Sequence, residues 1–324
     1  MVSIQLRVCI GLLVLFPAWV RGQVKPLPET RNAALRYWQA FAELKDPPPN
    51  REIQAEMENI LNAKAEWDEA KVGGIVAANE IALGIMQRAT KLPDCDWGVE
   101  YSRGPEASIA FVPRAHVLAR LNTLQGIREM AQGNSQAAVD TWIAGIRFAQ
   151  DLTKGGSLIF ALTAKSVLVL ELQTLTAEAQ HGRLTAMQRK QLYSAVNVLP
   201  DDGFDWGLAW EMDEAGVDVF FAELQRSQKP ATFFERLMGQ PAPKDCVPPS
   251  AQQVKVYHHY MSDVASALRV PPSEVKPRLA ALDGEAKNIC DAIRVAIPSA
   301  ERVNDARVKI TAARKELLES LQAR

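Results

Sequence analysis

The sequence has little cysteine, little histidine and no excess of positive charge. Its 324 residues include four cysteines and four histidines, and 37 Lys and Arg stand against 38 Asp and Glu. So few cysteines exclude a small disulfide-stabilised scaffold, and a balanced charge offers no basic surface for a phosphate backbone. The 48% hydrophobic residues suffice for a large core and exclude intrinsic disorder. We therefore expect a globular protein that does not bind nucleic acid.

Motifs that carry catalysis or cofactor binding are absent from the sequence as well. It has no Gly-x-Ser-x-Gly nucleophile elbow, phosphate loop, dinucleotide fingerprint, His-Glu-x-x-His or Cys-x-x-Cys. His258 and His259 are neighbours on one predicted helix, so their side chains diverge by about 100° and cannot chelate one ion together. Only His259 and Asp263 have a spacing that could. The sequence predicts no cofactor and no metal, and it leans away from an enzyme.

The first 22 residues have the features of a secretory signal peptide. Arg7 supplies a positive n-region, Val8 to Phe16 form an apolar run, and residues 20–22 precede the expected cut. The run is too short to span a bilayer, which needs about 20 residues. An uncleaved anchor is the alternative, and the polar, proline-rich residues that follow disfavour it. We predict an exported protein, periplasmic or extracellular, whose mature chain has no membrane span.

Three cysteines remain after removal of the signal peptide. Cys95 and Cys246 lie in turn-forming segments with nearby prolines, whereas Cys290 has isoleucines around it at helical spacing. We predict a disulfide between Cys95 and Cys246, with Cys290 as a buried free thiol. Three reduced cysteines are the alternative, because an odd count and an exported location do not by themselves require a bridge.

Hydrophobic periodicity predicts an all-α protein. Apolar residues recur at i, i+3, i+4 and i+7 in segment after segment, and no stretch alternates strictly enough for a half-buried strand. We expect about ten or eleven helices in antiparallel hairpins, as an irregular bundle or a solenoid-like stack. Residues 23–324 should form a single domain, with residues 250–324 as a possible C-terminal helical subdomain.

The predicted helices follow the apolar pattern and the breakers between them. On the first helix Leu35, Trp38 and Ala42 form one apolar face, with Phe41 beside it. A capping box is expected at Thr185, and an apolar seam on the last helix is expected to dock on the domain itself. The predicted ranges are 30–45, 51–91 divided at Gly73-Gly74, 114–132, 135–154, 157–180, 185–200, 205–227, 232–238, 250–270, 283–296 and 299–322.

One helix hairpin resembles a tetratricopeptide unit. Within residues 119–150, Gly126, Ala138, Trp142 and Gly145 occupy the places of that family's small glycine, small alanine, aromatic and second small residue. A shift of 34 residues reveals no second unit. The resemblance implies a helix-hairpin fold, and the alternative is that any close antiparallel pair needs small residues at its crossing. The residues that depart from the family's pattern are Asn122, Gln125, Glu129 and Gln150.

An acidic stripe edged by tryptophans is the strongest candidate for chemistry. Glu211, Glu214 and Asp218 occupy positions i, i+3 and i+7 of one predicted helix, next to Trp206 and Trp210. Aromatic rings that stack on sugars and a pair of carboxyl groups are what glycoside cleavage requires. A solvated acidic face, favoured by the helix dipole near the N-terminus, is the alternative.

We predict an exported helical protein that binds or scaffolds another protein or envelope macromolecule without catalysis. In its general features the chain resembles exported helical proteins of bacteria. The alternative function is an all-α envelope enzyme that acts on a glycan through residues 201–218. That hypothesis needs a second acidic helix opposite, with roughly 5 to 9 Å between carboxyl groups. A third class, a carrier of a small ligand, needs a cavity between helices.

Overall fold

A computed structural model describes residues 29–107, 109–243, 247–286, 289, 291–294 and 297–323. Within these ranges the chain is all-α, as predicted, and no β-strand forms. The described helices of nine or more residues are α1 (Ala33–Glu43), α2 (Arg51–Leu61), α4 (Glu80–Ala89), α5 (Val112–Ala131), α6 (Ser135–Thr153), α7 (Leu158–Gln180), α8 (Ala186–Asn197), α9 (Trp206–Arg226), α10 (Pro230–Met238), α11 (Ala251–Ala267), α12 (Pro272–Ala286) and α14 (Ala300–Gln322). Two single turns, α3 (Gly74–Ala77) and α13 (Asp291–Arg294), lie between them.

Several helices begin where capping chemistry predicts. The Thr185 hydroxyl accepts from the backbone of Gln188, whose side chain accepts from the Thr185 N–H, so the predicted capping box of α8 is confirmed. Asp205 caps α9 and Ser299 caps α14 by the same use of a side-chain oxygen. These side chains satisfy amides that the first helical turn leaves without partners.

Two predicted boundaries were wrong. The stretch 51–91 divides at residues 62–68 rather than at Gly73-Gly74, where a short π-helix, Glu69–Gly73, leads directly into α3. The helix predicted from Asp283 begins earlier, because α12 starts at Pro272 and ends at Ala286. Pro272 stands at the start of the helix, where its missing N–H costs nothing. Pro277 lies inside it, and the packing of buried side chains such as Leu279 offsets its loss of a hydrogen bond.

The predicted core face of α1 was also wrong. Leu35, Trp38 and Ala42 are exposed, and the buried side contains Tyr37 and Phe41. The Tyr37 hydroxyl donates a 2.7 Å hydrogen bond to Asp151 Oδ2 on α6, a partner far away in sequence. Buried tyrosine hydroxyls usually have a hydrogen-bond partner, and this tertiary contact favours burial of the Tyr37 face of α1.

Helix α7 lies at the centre of the fold. It packs against α5, α6, α9 and α14, and it is the one described helix long and apolar enough to cross a membrane by length and composition. More than half of that apolar stretch is buried inside the fold. Because α14 returns across more than 100 residues to pack on α7, residues Asn32–Arg324 form an irregular bundle rather than a solenoid, in which each repeat contacts only its neighbours. The predicted seam of α14 is buried: Val303, Ala306, Ile310, Ala313, Leu317 and Leu321.

Candidate functional site

The two tryptophans of the predicted acidic site lie in the hydrophobic core. Trp206 is 1% exposed and Trp210 is 0% exposed. The Trp206 indole N–H donates a 2.9 Å hydrogen bond to the carbonyl of Asp202, four residues earlier. Neither ring offers a face on which a sugar could stack, so both contribute to packing of α9.

The three acids of that site lie on one face of α9, opposite the α11 segment, by which we mean α11 and the residues up to Arg269 that follow it. Glu211 makes two 2.8 Å hydrogen bonds to Arg269, which follows α11. His258 lies between Glu214 and Asp218, with Nδ1 2.7 Å from one carboxylate and Nε2 3.3 Å from the other. The opposite segment therefore presents basic side chains to these acids rather than the facing carboxyl group that glycoside cleavage needs. The acidic stripe therefore packs against Arg269 and His258 of the neighbouring segment.

Of the two cysteines in the predicted disulfide, Cys95 lies within the described residues. Cys246 and Cys290 lie outside them, as do residues 1–22. The Cys95 Sγ lies 3.7 Å from the carbonyl oxygen of Asp151, and burial raises the pKa of the Cys95 thiol to about 12. Among the described residues no group of three potential ligands could hold a metal ion. His259 pairs with Asp263 at 3.4 Å, as their spacing allows.

A polar stripe that the sequence analysis did not identify runs along the central helix. Glu171, Thr174 and Glu178 occupy positions i, i+3 and i+7 of α7 and are all buried. Each carries a buried oxygen without a hydrogen-bond partner among the described residues: Glu171 Oε2, Thr174 Oγ1 and Glu178 Oε2. Buried polar groups are nearly always hydrogen-bonded, so a run of unpartnered oxygens marks this face as functional or strained.

The inner end of the stripe is the fully buried carboxyl group of Glu171. Its Oε1 accepts 3.1 Å hydrogen bonds from Asn122 Nδ2 and from the Thr123 hydroxyl, both on α5. Gly145 of α6 makes room for this carboxyl group, because a Cβ there would overlap Glu171 Oε1. Burial raises the pKa of Glu171 to about 8, and the two hydrogen bonds only partly oppose that effect. At neutral pH the group is therefore mostly protonated.

The outer end of the stripe opens into a pocket of about 660 Å³, which we call the Glu178 pocket. Three helices contribute residues from their last turns, and the 62–68 loop after α2 forms the remaining wall. The lining residues are Ile60, Leu61, Ala63, Lys64, Ala65, Glu66, Trp67, Ile127, Ala131, Thr174, Ala177, Glu178, His181 and Arg183. The volume falls within the range of small-molecule sites.

Glu178 is half paired at this pocket: one of its two carboxyl oxygens has a hydrogen-bond partner among the described residues. Its Oε1 accepts a 3.0 Å hydrogen bond from Arg183 Nη2, while Oε2 has no partner among the described residues. Glu178 is 5% exposed. Burial raises the pKa of its carboxyl group, and the charges of Arg183 and His181 lower it by less. The pocket therefore contains an acidic oxygen with unused capacity to accept a hydrogen bond.

The loop wall of the pocket is held by specific contacts. The Trp67 indole donates a 2.8 Å hydrogen bond to Glu69, which is in turn held by Arg128 of α5 at 2.7 Å. Ala63 follows the C-cap of α2 with a φ of 53°, and its N–H and that of Lys64 donate to the carbonyl oxygens of Ile60 and Asn59, which closes the helix in a Schellman motif.

Sequence reasoning missed this site, although part of its signal was present. Polar residues at i, i+3 and i+7 in an otherwise apolar helix predict a buried polar face, and Glu171, Thr174 and Glu178 have that spacing. No sequence pattern places the 62–68 loop opposite them. The loop and the helix ends come together only through the packing of α2 on α5 and of α5 on α7.

The hairpin that resembles a tetratricopeptide unit is formed by α5 and α6. A Cβ at Gly126 would overlap the Trp142 indole, and one at Gly145 would overlap Glu171, so both small residues make room for a particular buried side chain. Compared with protein-family models, with curated proteins and with solved structures, the chain matches none of them. The resemblance stays a prediction, and the geometry of the Glu178 pocket is the basis for a functional assignment.

Proposed function

We propose that this chain is an exported helical binding protein that holds a small ligand, or a small part of a larger envelope partner, in the Glu178 pocket. The observation that carries the proposal is the coincidence of a 660 Å³ pocket with two buried oxygens, Thr174 Oγ1 and Glu178 Oε2, that have no partner among the described residues. An unpartnered buried acceptor costs about 1 to 3 kcal/mol. A ligand that donates to both oxygens would recover that cost.

Binding suits this pocket better than catalysis. The only hydroxyl side chain in its wall, Thr174, has no hydrogen bond to a general base among the described residues. An activated nucleophile needs such a base within reach. The wall combines apolar surface with hydrogen-bonding groups, as ligand sites do. Half of its lining residues carry a polar or charged group, and the seven others are aliphatic or alanine: Ile60, Leu61, Ala63, Ala65, Ile127, Ala131 and Ala177.

Filling the pocket should abolish binding. We expect at least one class in a fragment set of amines, alcohols, carboxylates and amides to shift the NMR signal of the Trp67 indole N–H, assigned by its loss in Trp67→Phe. Ala177→Phe places a ring inside the pocket and should remove the shift. Ala55→Phe, on an exposed position of α2, should preserve it. If no fragment shifts the signal, or Ala177→Phe leaves the shift intact, the pocket is not a ligand site.

Export is the second part of the proposal, and it is supported by the charge and apolar run of residues 1–22. In a bacterial host we expect the full chain to yield an envelope or secreted product whose intact mass lacks about 22 residues. Leu13→Arg interrupts the apolar run and should leave a full-length cytosolic chain, whereas Leu13→Ile should be processed normally. A full-length wild-type chain in the cytosol would refute export.

A further inference from the structure

We infer that the ligand of the Glu178 pocket carries a primary ammonium group; this inference depends on the proposed binding function. The first argument is the kind of atom left without a partner. In the wall of the pocket the unpartnered buried atoms of the described residues are both oxygens, Thr174 Oγ1 and Glu178 Oε2. Each of these atoms can accept a hydrogen bond, and an ammonium group has three hydrogen-bond donors and no acceptor.

The second argument is electrostatic. The pocket takes Ile60 and Leu61 from the last turn of α2, Ala131 from the last turn of α5, and Ala177 and Glu178 from the last turn of α7. The C-terminus of a helix carries a partial negative charge, which favours a cation. Three such ends therefore converge on one pocket, and they add to the charge of the half-paired carboxylate.

The charged residues at the rim do not cancel this field. Lys64 and Arg183 are exposed, and Arg183 already donates to Glu178 Oε1 and lies 3.2 Å from His181 Nδ1. Glu66, also exposed, opposes Lys64 in sign. Because exposed charges are screened by water and salt, the buried carboxylate has the larger effect on a ligand inside the pocket.

The geometry selects a primary ammonium over other organic cations. A guanidinium group binds a carboxylate best through both oxygens at once, and Arg183 occupies Glu178 Oε1. A quaternary ammonium group has no N–H to donate and is recognised by several aromatic rings, whereas Trp67 is the one aromatic side chain in the wall. A primary ammonium group can donate separately to Glu178 Oε2 and Thr174 Oγ1.

Four probes with the same benzyl body test this inference at neutral pH: benzylammonium, benzyl alcohol, benzylguanidinium and benzyltrimethylammonium. By calorimetric titration, with the Trp67 indole signal reporting the site, we expect benzylammonium to bind about tenfold tighter than the other three, the usual effect of one charge-assisted hydrogen bond. Glu178→Gln should lower the affinity for benzylammonium by about tenfold and leave that for benzyl alcohol nearly unchanged.

A second variant, Thr174→Val, provides an independent test in case Glu178→Gln does not fold. Thr174→Val keeps the side-chain shape, removes the hydroxyl acceptor, and should weaken the binding of benzylammonium about threefold.

The inference is overturned if the alcohol, guanidinium or trimethylammonium probe binds as tightly as benzylammonium, or if both variants keep the wild-type affinity for the amine. In the case where benzyl alcohol shifts Trp67 and benzylammonium does not, the pocket still binds ligands and only the ammonium assignment is wrong. If no probe of any class shifts Trp67, both proposals are wrong.

Discussion

Gly145→Ala is expected to lower the free energy of unfolding by about 2 to 4 kcal/mol. The new methyl group would overlap Glu171 Oε1 and lie 2.9 Å from Asn122 Nδ2. Since Glu171 is completely buried, its carboxyl group cannot swing into solvent and must give up hydrogen bonds or displace α5. Denaturant unfolding followed by circular dichroism measures the change.

Gly216→Ala is the matched control for this substitution. Gly216 also lies inside a long helix, α9, and a Cβ there would meet no atom within 4 Å. Alanine should stabilise that helix by about 0.5 to 1 kcal/mol, because it restricts the unfolded chain more than glycine does. If the two substitutions change the free energy of unfolding equally, Gly145 is needed only for its backbone conformation and not for the space it leaves to Glu171.

A double-mutant cycle identifies the side chain responsible. Glu171→Ala opens space where the methyl group of Gly145→Ala would lie, so the two substitutions together should cost less than the sum of their separate effects. Strict additivity would mean that the Gly145 methyl group does not meet Glu171.

The free energy of unfolding should change with pH by about 3 to 5 kcal/mol less in Glu171→Gln than in the wild type. Burial raises the pKa of Glu171 from its ordinary value of 4.5 to about 8 in the folded state. Below about pH 4.5 both the folded and the unfolded chain keep this proton, and the group costs nothing. As the pH rises towards 8 the unfolded chain releases the proton while the folded chain retains it, so the free energy of unfolding falls.

Glutamine should suppress that fall because it has no proton to release. Its carbonyl oxygen can accept from Asn122 and Thr123 as Glu171 Oε1 does. The quantity to compare is the difference in unfolding free energy between variant and wild type, measured by denaturant titration from pH 5 to about pH 8. We expect the difference to shift in favour of glutamine as the pH rises. Glu316→Gln, at an exposed position of α14, should show a constant difference.

A constant difference for Glu171→Gln would contradict the raised pKa of this carboxyl group. The comparison with wild type is needed because Asp213, whose pKa burial raises to about 6, adds a pH dependence of the same sign. That contribution is common to both proteins and cancels in the difference.

Local chemistry made much of the fold predictable. The capping box of α8 involves residues three positions apart, so Thr185 and Gln188 identify it without any tertiary information. The seam of α14 repeats every three or four residues from Val303 to Leu321, and all of it is buried. The same reasoning failed for the start of α12, because its prolines lower helix propensity while contacts with α11 and α14 stabilise the helix.

The acidic stripe shows a different limit of sequence reasoning. The spacing of Glu211, Glu214 and Asp218 correctly places them on one helix face. What that face does depends on its partner, and the α11 segment supplies Arg269 and His258. The pattern of one helix contains no information about the charge of the side chains packed against it.

The amino-acid sequence by itself determined the helical class, most of the helix boundaries and the segments whose apolar stripes had to be buried, because periodicity and capping act within a few residues of the chain. Only the tertiary structure decided that Tyr37 rather than Trp38 faces the core, and that Trp206 and Trp210 are internal. It also decided that three helix ends and the 62–68 loop surround Glu178. These outcomes depend on contacts between distant residues, whose energies are fixed by how the helices pack and not by the order of residues within any one of them.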